Sequence, residues 1–209
     1  MASDLIFYTN PMSRGRIITW LLEEAGVDYE TRVMDYASTM KDGDYLSVNP
    51  MGKVPAIVHN GHIVTECAAI CAYLAEAYPE AGLAPTADER ADYYRWLFFT
   101  AGPIEQAVTN NVAQFVPSPE QGRMFSYGNY DLAVETLAKA VSAHPYIAGD
   151  RFTAADVYVG STVGWGLAFG TLPKREEFAA YAGRVTARDA YTRGKAKDEA
   201  LTAEMAPAS

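Results

Sequence analysis

Residues 55–79 read PAIVHNGHIVTECAAICAYLAEAYP, and more of the fold can be read from them than from any other stretch. Two short apolar runs, Pro55 to His59 and His62 to Thr65, flank Asn60-Gly61. Asn-Gly supplies two residues that tolerate positive φ, as a tight hairpin turn requires. The period then changes. Cys67, Ile70, Cys71, Leu74 and Tyr78 recur at helical spacing and form one stripe, which Pro79 stops. The segment is strand, turn, strand, helix.

Working upstream, Leu5 to Tyr8 form a short apolar run that ends at Asn10-Pro11, a buried strand. Ile17, Ile18, Leu21, Leu22 and Ala25 predict a helix closed by Gly26. Tyr29 to Met34 predict a second strand. The order β-α-β-(loop)-β-β-α gives a mixed four-stranded sheet, the thioredoxin arrangement, over residues 1–80.

Downstream, Glu80 to Pro85 is a turn-rich break. Helical segments are expected from about Asp88 through Phe115 and from Glu120 to Ser142, with Pro117-Ser-Pro119 between them. Gly102-Pro103 should bend the first. Thr153-Ala-Ala-Asp156 is a capping-box variant, with Phe152 and Val157 placed as a hydrophobic staple. No strand-like alternation follows the break, so residues 87–209 are expected to form an all-helical bundle domain. The fold class is therefore α/β plus all-α.

The chain has 209 residues, a net charge of −9 and a pI near 4.8. That acidity argues against a nucleic-acid or anionic-membrane surface. No apolar run reaches the ~18 residues of a membrane span, and the N-terminus lacks a basic segment before an apolar stretch. The only two cysteines, Cys67 and Cys71, share one helical stripe instead of forming a disulfide framework. A reducing, cytoplasmic setting is expected. His59, His62, Cys67 and Cys71 crowd one stretch, but their spacing fits no familiar zinc module, so no metal is expected.

Four segments, Tyr8 to Arg14, Asn49 to Pro55, Thr65 to Cys67 and Gly149 to Asp156, together resemble the cytosolic glutathione S-transferase family, in a bacterial, serine-using form. They stand in the expected order, and the resemblance covers nearly the whole chain. It implies glutathione as co-substrate, a homodimer, and a small hydrophobic electrophile as partner. By the same resemblance Pro55 is cis, and Val54 pairs with the cysteinyl backbone of glutathione. Lys53 meets the glycine carboxylate, while Glu66 and Cys67 hold the γ-glutamyl end. Cys67 departs from the family's serine or threonine. A helix N-terminus there is also an anion site on general grounds. As a thiol, Cys67 is either a small buried residue or a partner for a mixed disulfide with glutathione.

The chemistry needs a thiolate. Lowering a free thiol from about 8.5 to roughly 6–7 takes ~2–3.5 kcal/mol. One hydrogen bond to a charged group contributes ~1.5–3 kcal/mol, and a helix N-terminus adds ~0.3–1. Ser13 precedes the first helix, where serine is a favoured cap, and by the resemblance it donates to the sulfur. Counting back from Arg14 puts Asn10 in that role, and Tyr8 offers a hydroxyl as the third candidate. Ser13 ranks first, Asn10 second, Tyr8 third. Arg14 and Arg16 are read first as a solvated helix start, with added positive potential at the site as the alternative. Met12 and residues beyond the bend, as far as Phe115, are candidates for the electrophile pocket. The expected reaction is conjugation of glutathione to hydrophobic electrophiles. The alternatives are a glutathione-dependent disulfide or peroxide reductase on the same fold, or a non-catalytic binding protein.

Overall fold

The computed structural model describes residues 4–205, which fall into two compact units. The first runs to Leu83 and resumes at Arg188; the second spans Ala84–Ala187.

The first unit opens with β1 (Leu5–Thr9), α1 (Gly15–Ala25), β2 (Glu30–Val33), α2 (Gly43–Val48), β3 (Ala56–His59), β4 (His62–Thr65) and α3 (Cys67–Ala77). The sheet order is β2-β1-β3-β4, with β1 parallel to β2 and antiparallel to β3. Asn60 and Gly61 take φ of 51° and 80°, which places both turn residues in the left-handed region. Along β1 the side chains alternate. Ile6 and Tyr8 join Met34, Met40, Tyr45 and Ala56 in one apolar cluster. Leu5, Phe7 and Thr9 are buried too, and Thr9 lies against α1 on the other face.

Between β2 and β3 the sequence was expected to form a loop. It holds a 3₁₀ turn, Thr39–Lys41, and the six-residue α2, which bury Met40 and Tyr45. Elements this short complete too few turns for a helical period to show.

The second unit contains α4 (Arg90–Phe99), α5 (Glu105–Val112), α6 (Tyr130–Ala143), α7 (Ala154–Phe169) and α8 (Glu176–Thr186). A π turn at Thr100–Ile104, containing Pro103, joins α4 to α5 where a bend was expected. Two expected helices are shorter than their apolar spacing implied. α5 ends at Val112, not Phe115, and α6 begins at Tyr130, not Glu120. In between, Gly128 has φ 67°, and the Asn129 side chain accepts the Leu132 N–H at 2.9 Å, which fixes the helix start. Phe125 packs on both Phe115 and Tyr127 there, a loop cluster between the two helices. The capping box at Thr153 forms, and Asp156 is wholly buried beneath it.

α9 (Asp189–Met205) packs along α1 and so belongs to the first unit, although residues 87–209 read as one helical domain. Its buried seam is Ala190, Gly194 and Asp198, which carries no apolar stripe to announce a partner.

Candidate active site

Strand register brings three distant segments to one end of the sheet. Tyr8 pairs with Ala56, and Ala56 pairs with Thr65. The residues after Tyr8, before Ala56 and after Thr65 therefore emerge together. These are the β1–α1 turn with Asn10 and Ser13, the Lys53-Val54-Pro55 approach to β3, and Glu66-Cys67 at the start of α3. Thr9 pairs with Val33, which adds Met34 to the same end.

The β1–α1 turn is braced from inside. Asn10 has no exposed surface. Its side-chain nitrogen donates to Met34 O at 2.8 Å, and its side-chain oxygen accepts the Met12 N–H at 2.9 Å. Ser13 is only partly buried. Its hydroxyl donates to Asn10 O at 2.6 Å and accepts the Gly15 N–H at 2.9 Å, so Ser13 holds the first N–H of α1 from one residue ahead of the cap position, which Arg14 occupies. The Tyr8 hydroxyl accepts from Arg32 at 3.1 Å, and its ring lies 5.3 Å from that of Tyr45. Tyr8 thus belongs to the α2 side of the sheet, with the cluster that includes Met34 and Met40.

The approach to β3 is built with similar care. Val54–Pro55 is cis. Lys53 O accepts from the Tyr45 hydroxyl at 2.5 Å and from Asn49 Nδ2 at 2.8 Å. Burial pushes the Tyr45 hydroxyl up to about 12, so it remains a protonated donor. Lys41 Nζ donates to Gly52 O at 2.9 Å. Gly52 has φ 56°, and a Cβ there would stand 2.7 Å from Met40 O, which restricts the position to glycine. The backbone of Val54 makes no hydrogen bond among the described residues, and the Lys53 side chain is exposed. Tyr45, Asn49 and Lys41 were not singled out from the sequence. Of these, Asn49 lay inside the Asn-Pro-Met-Gly segment already noted.

At α3, Glu66 is exposed and has φ 68°, and the helix begins at Cys67. The first N–H groups of a helix have no partner within it, so this end is suited to an anion. The Cys67 thiol turns inward: it is 7% exposed and lies 3.7 Å from Arg14 O. Cys71, one turn on, is fully buried, and desolvation pushes its thiol well above the ordinary range. His59 has both ring nitrogens engaged, Nδ1 with Tyr73 Oη at 3.0 Å and Nε2 with Tyr78 Oη at 3.1 Å. Among the described residues, no group of three or more His, Cys, Asp or Glu is placed to hold a metal.

Residues 3–76 match the glutathione S-transferase N-terminal domain. Glutathione S-transferase GST-4.5 of Xanthomonas campestris pv. campestris is 32% identical over 165 residues, 76% of this chain and 80% of that one. The chain belongs to the glutathione S-transferase family. Glutathione S-transferase GstA of Escherichia coli O157:H7 is 29% identical over 174 residues, covering 80% and 85% of the two chains. A glutathione transferase crystal structure from Methylococcus capsulatus aligns with a TM-score of 0.75 at 30% identity, over 94% of this chain and 99% of the other. A sphingomonad glutathione S-transferase complexed with glutathione aligns at 0.74 and 28% identity, over 93% and 98%. The protein is thus a glutathione transferase with a thioredoxin-like first domain. No helix among the described residues is long and apolar enough to cross a membrane.

Proposed function

We propose that this glutathione transferase conjugates the glutathione thiolate to small hydrophobic electrophiles, with Ser13 as the donor that stabilises the thiolate. The observation that carries this reading is the contrast between Ser13 and Asn10. Asn10 is fully buried, and both ends of its amide are engaged in bracing the turn. Ser13 is partly exposed at the N-terminus of α1. A hydroxyl proton rotates to suit its acceptor. Ser13 Oγ can therefore keep the Gly15 N–H while its own proton leaves Asn10 O for a thiolate.

The magnitudes allow this. Giving up a neutral hydrogen bond costs about 1 kcal/mol, and one to a charged group returns ~1.5–3. The helix terminus adds ~0.3–1. A net of about 1–3 kcal/mol lowers a thiol by roughly one to two units.

In this reading the free Val54 backbone pairs with the cysteinyl residue beside Pro55. Lys53 takes the glycine carboxylate. Glu66 meets the γ-glutamyl ammonium, and the N–H groups from Cys67 onward meet its carboxylate. The enzyme works as a cytoplasmic homodimer without a metal.

The test is turnover of purified protein with glutathione and an aryl halide, a mixed disulfide or an organic peroxide, with Ser13→Ala in parallel. Aryl halide turnover that falls roughly 10–100-fold in Ser13→Ala supports the reading. Unchanged turnover in that variant, or turnover with the disulfide or peroxide alone, overturns it.

A further inference from the structure

α9 meets α1 along a seam of Ala190, Gly194 and Asp198, one residue per turn. At Gly194 a Cβ would stand 3.1 Å from Trp20 Cα, so the two backbones nearly touch. One turn later the seam carries a carboxylate. Asp198 is 1% exposed. Its Oδ1 accepts the Thr19 hydroxyl at 2.9 Å, and its Oδ2 lies 3.6 Å from Arg16 Nε.

Holding the two helices together does not account for this group. The far end of α1 is already clamped to α9. Arg188 donates twice to Glu24, at 2.6 and 2.8 Å, while Arg193 and Lys197 pair with Glu23. An asparagine at 198 would occupy the same space without a desolvated charge. What the carboxylate adds is a hold on Arg16 and Thr19, both on the first turns of α1. The Arg16 N–H points at Ser13 O at 3.4 Å, and Thr19 Oγ1 lies 3.4 Å from Gly15 O. Gly15 N–H is the group on which Ser13 Oγ rests.

We propose that Asp198 is a positioning residue for Ser13, fixing the first turn of α1 through Arg16 and Thr19. This rests on Ser13 being the thiolate donor. The groups that face Asp198 are Arg16 and Thr19 from α1, Tyr29 from the segment before β2, and Glu199 from α9 itself. Burial pushes Asp198 up to about 6 against the lowering pull of Thr19 and Arg16. Protonation near that pH releases Arg16, and activation of the thiol weakens.

The test is titration of enzyme-bound glutathione by its thiolate ultraviolet absorbance. It is run for the parent, Ser13→Ala, Asp198→Asn and the double variant. Thr19→Val is a second probe of the same link, and Glu24→Gln a control at the clamp's other end. The expected result is a thiol pKa raised by about one unit, a tenfold loss of thiolate below it, in Asp198→Asn. Thr19→Val should shift it the same way, Glu24→Gln should leave it unchanged, and the double variant should go no further than Ser13→Ala. If Ser13→Ala shifts the titration and Asp198→Asn does not, or if the two shifts add, Asp198 does not act through Ser13. If Ser13→Ala itself leaves the titration unmoved, it is the assignment of Ser13 that fails, and the positioning role falls with it.

Discussion

Thr9 and Gly15 meet so closely that position 15 has no room for a side chain: a Cβ there would stand 2.0 Å from Thr9 Oγ1 and 3.0 Å from Ser13 Oγ. The Thr9 hydroxyl is fully buried and has no hydrogen-bond partner among the described residues. An alanine at 15 must push α1 off the sheet or displace Ser13. Overpacking of this kind typically costs 1–3 kcal/mol, so Gly15→Ala is expected to lose about that much in urea unfolding. Thr9→Ala in the same chain should recover most of it. Gly15→Ala as stable as the parent would contradict the contact. Thr9→Val, which removes the unpaired hydroxyl at constant shape, should be neutral or about 1 kcal/mol more stable.

Asn10 and Ser13 should separate by what they damage. Asn10→Ala strands Met34 O in a buried position and removes the partner of the Met12 N–H in a part-buried one. A buried orphaned group costs about 1–3 kcal/mol and the part-buried one about 1, so a total near 2–4 kcal/mol is expected in chemical denaturation. Ser13→Ala removes one hydroxyl hydrogen bond to the start of α1, worth about 1 kcal/mol, and should melt only slightly below the parent. Equal losses of stability in the two variants would falsify this division.

Much of the first unit was legible because its elements carry strong local signals. Asn60-Gly61 names its own turn, and the stripe from Cys67 to Leu74 is buried as its period implies. The site's segments could also be named, but how they are held could not. The Asn10–Met34 and Asn49–Lys53 bonds depend on side chains meeting across a turn or between strands, which no spacing encodes. α9 escaped for a related reason: its seam of alanine, glycine and aspartate has no hydrophobic period. The ends of the two expected helices around 113–129 were overrun because Phe115, Phe125 and Tyr127 pack on one another in a loop, an arrangement that no local signal announces.

In the second unit, Asp156 is a fully buried carboxylate that gathers four hydrogen-bond donors. Its Oδ1 accepts from Ile147 N at 2.7 Å and Tyr181 Oη at 2.9 Å, and its Oδ2 from Thr153 N at 2.9 Å and Thr153 Oγ1 at 3.1 Å. Burial leaves this carboxyl raised overall, against the lowering pull of the four donors. Asparagine would turn an NH₂ toward two of those donors. Asp156→Asn is therefore expected to lose about 3–5 kcal/mol, in the range for breaking a buried charged network. Tyr181→Phe, which deletes one donor, should lose about 1–2 kcal/mol. A melting curve for Asp156→Asn within a degree or two of the parent would refute the account.

Asp198 should give stability a pH dependence opposite to that of the paired carboxylates. Burial raises it from 3.8 to about 6, so the native chain holds this proton more tightly than the unfolded chain does. Above pH 6 the ionised group weighs against the fold. As pH falls through 6 that penalty is relieved, and the gain is complete near 4, where the unfolded chain takes up the proton as well. A difference of about two units corresponds to about 3 kcal/mol. Glu23, lowered by Lys197 and Arg193 against the raising effect of its own burial, runs the other way: its contribution is present above about 4.5 and is lost in acid. A raw stability curve mixes the two, so the informative quantity is the difference between Asp198→Asn and the parent, from urea unfolding at fixed ionic strength. It should favour the variant by up to about 3 kcal/mol at pH 7 and shrink towards zero by about pH 4. A difference that stays flat over that range would mean that Asp198 titrates alike in the folded and unfolded chains. Taken with the glutathione titration, the expected result is a variant that is more stable at neutral pH yet slower to form the thiolate. An ionised carboxylate would then be held in the α1–α9 seam at a cost in stability because it orders the turn that carries Ser13.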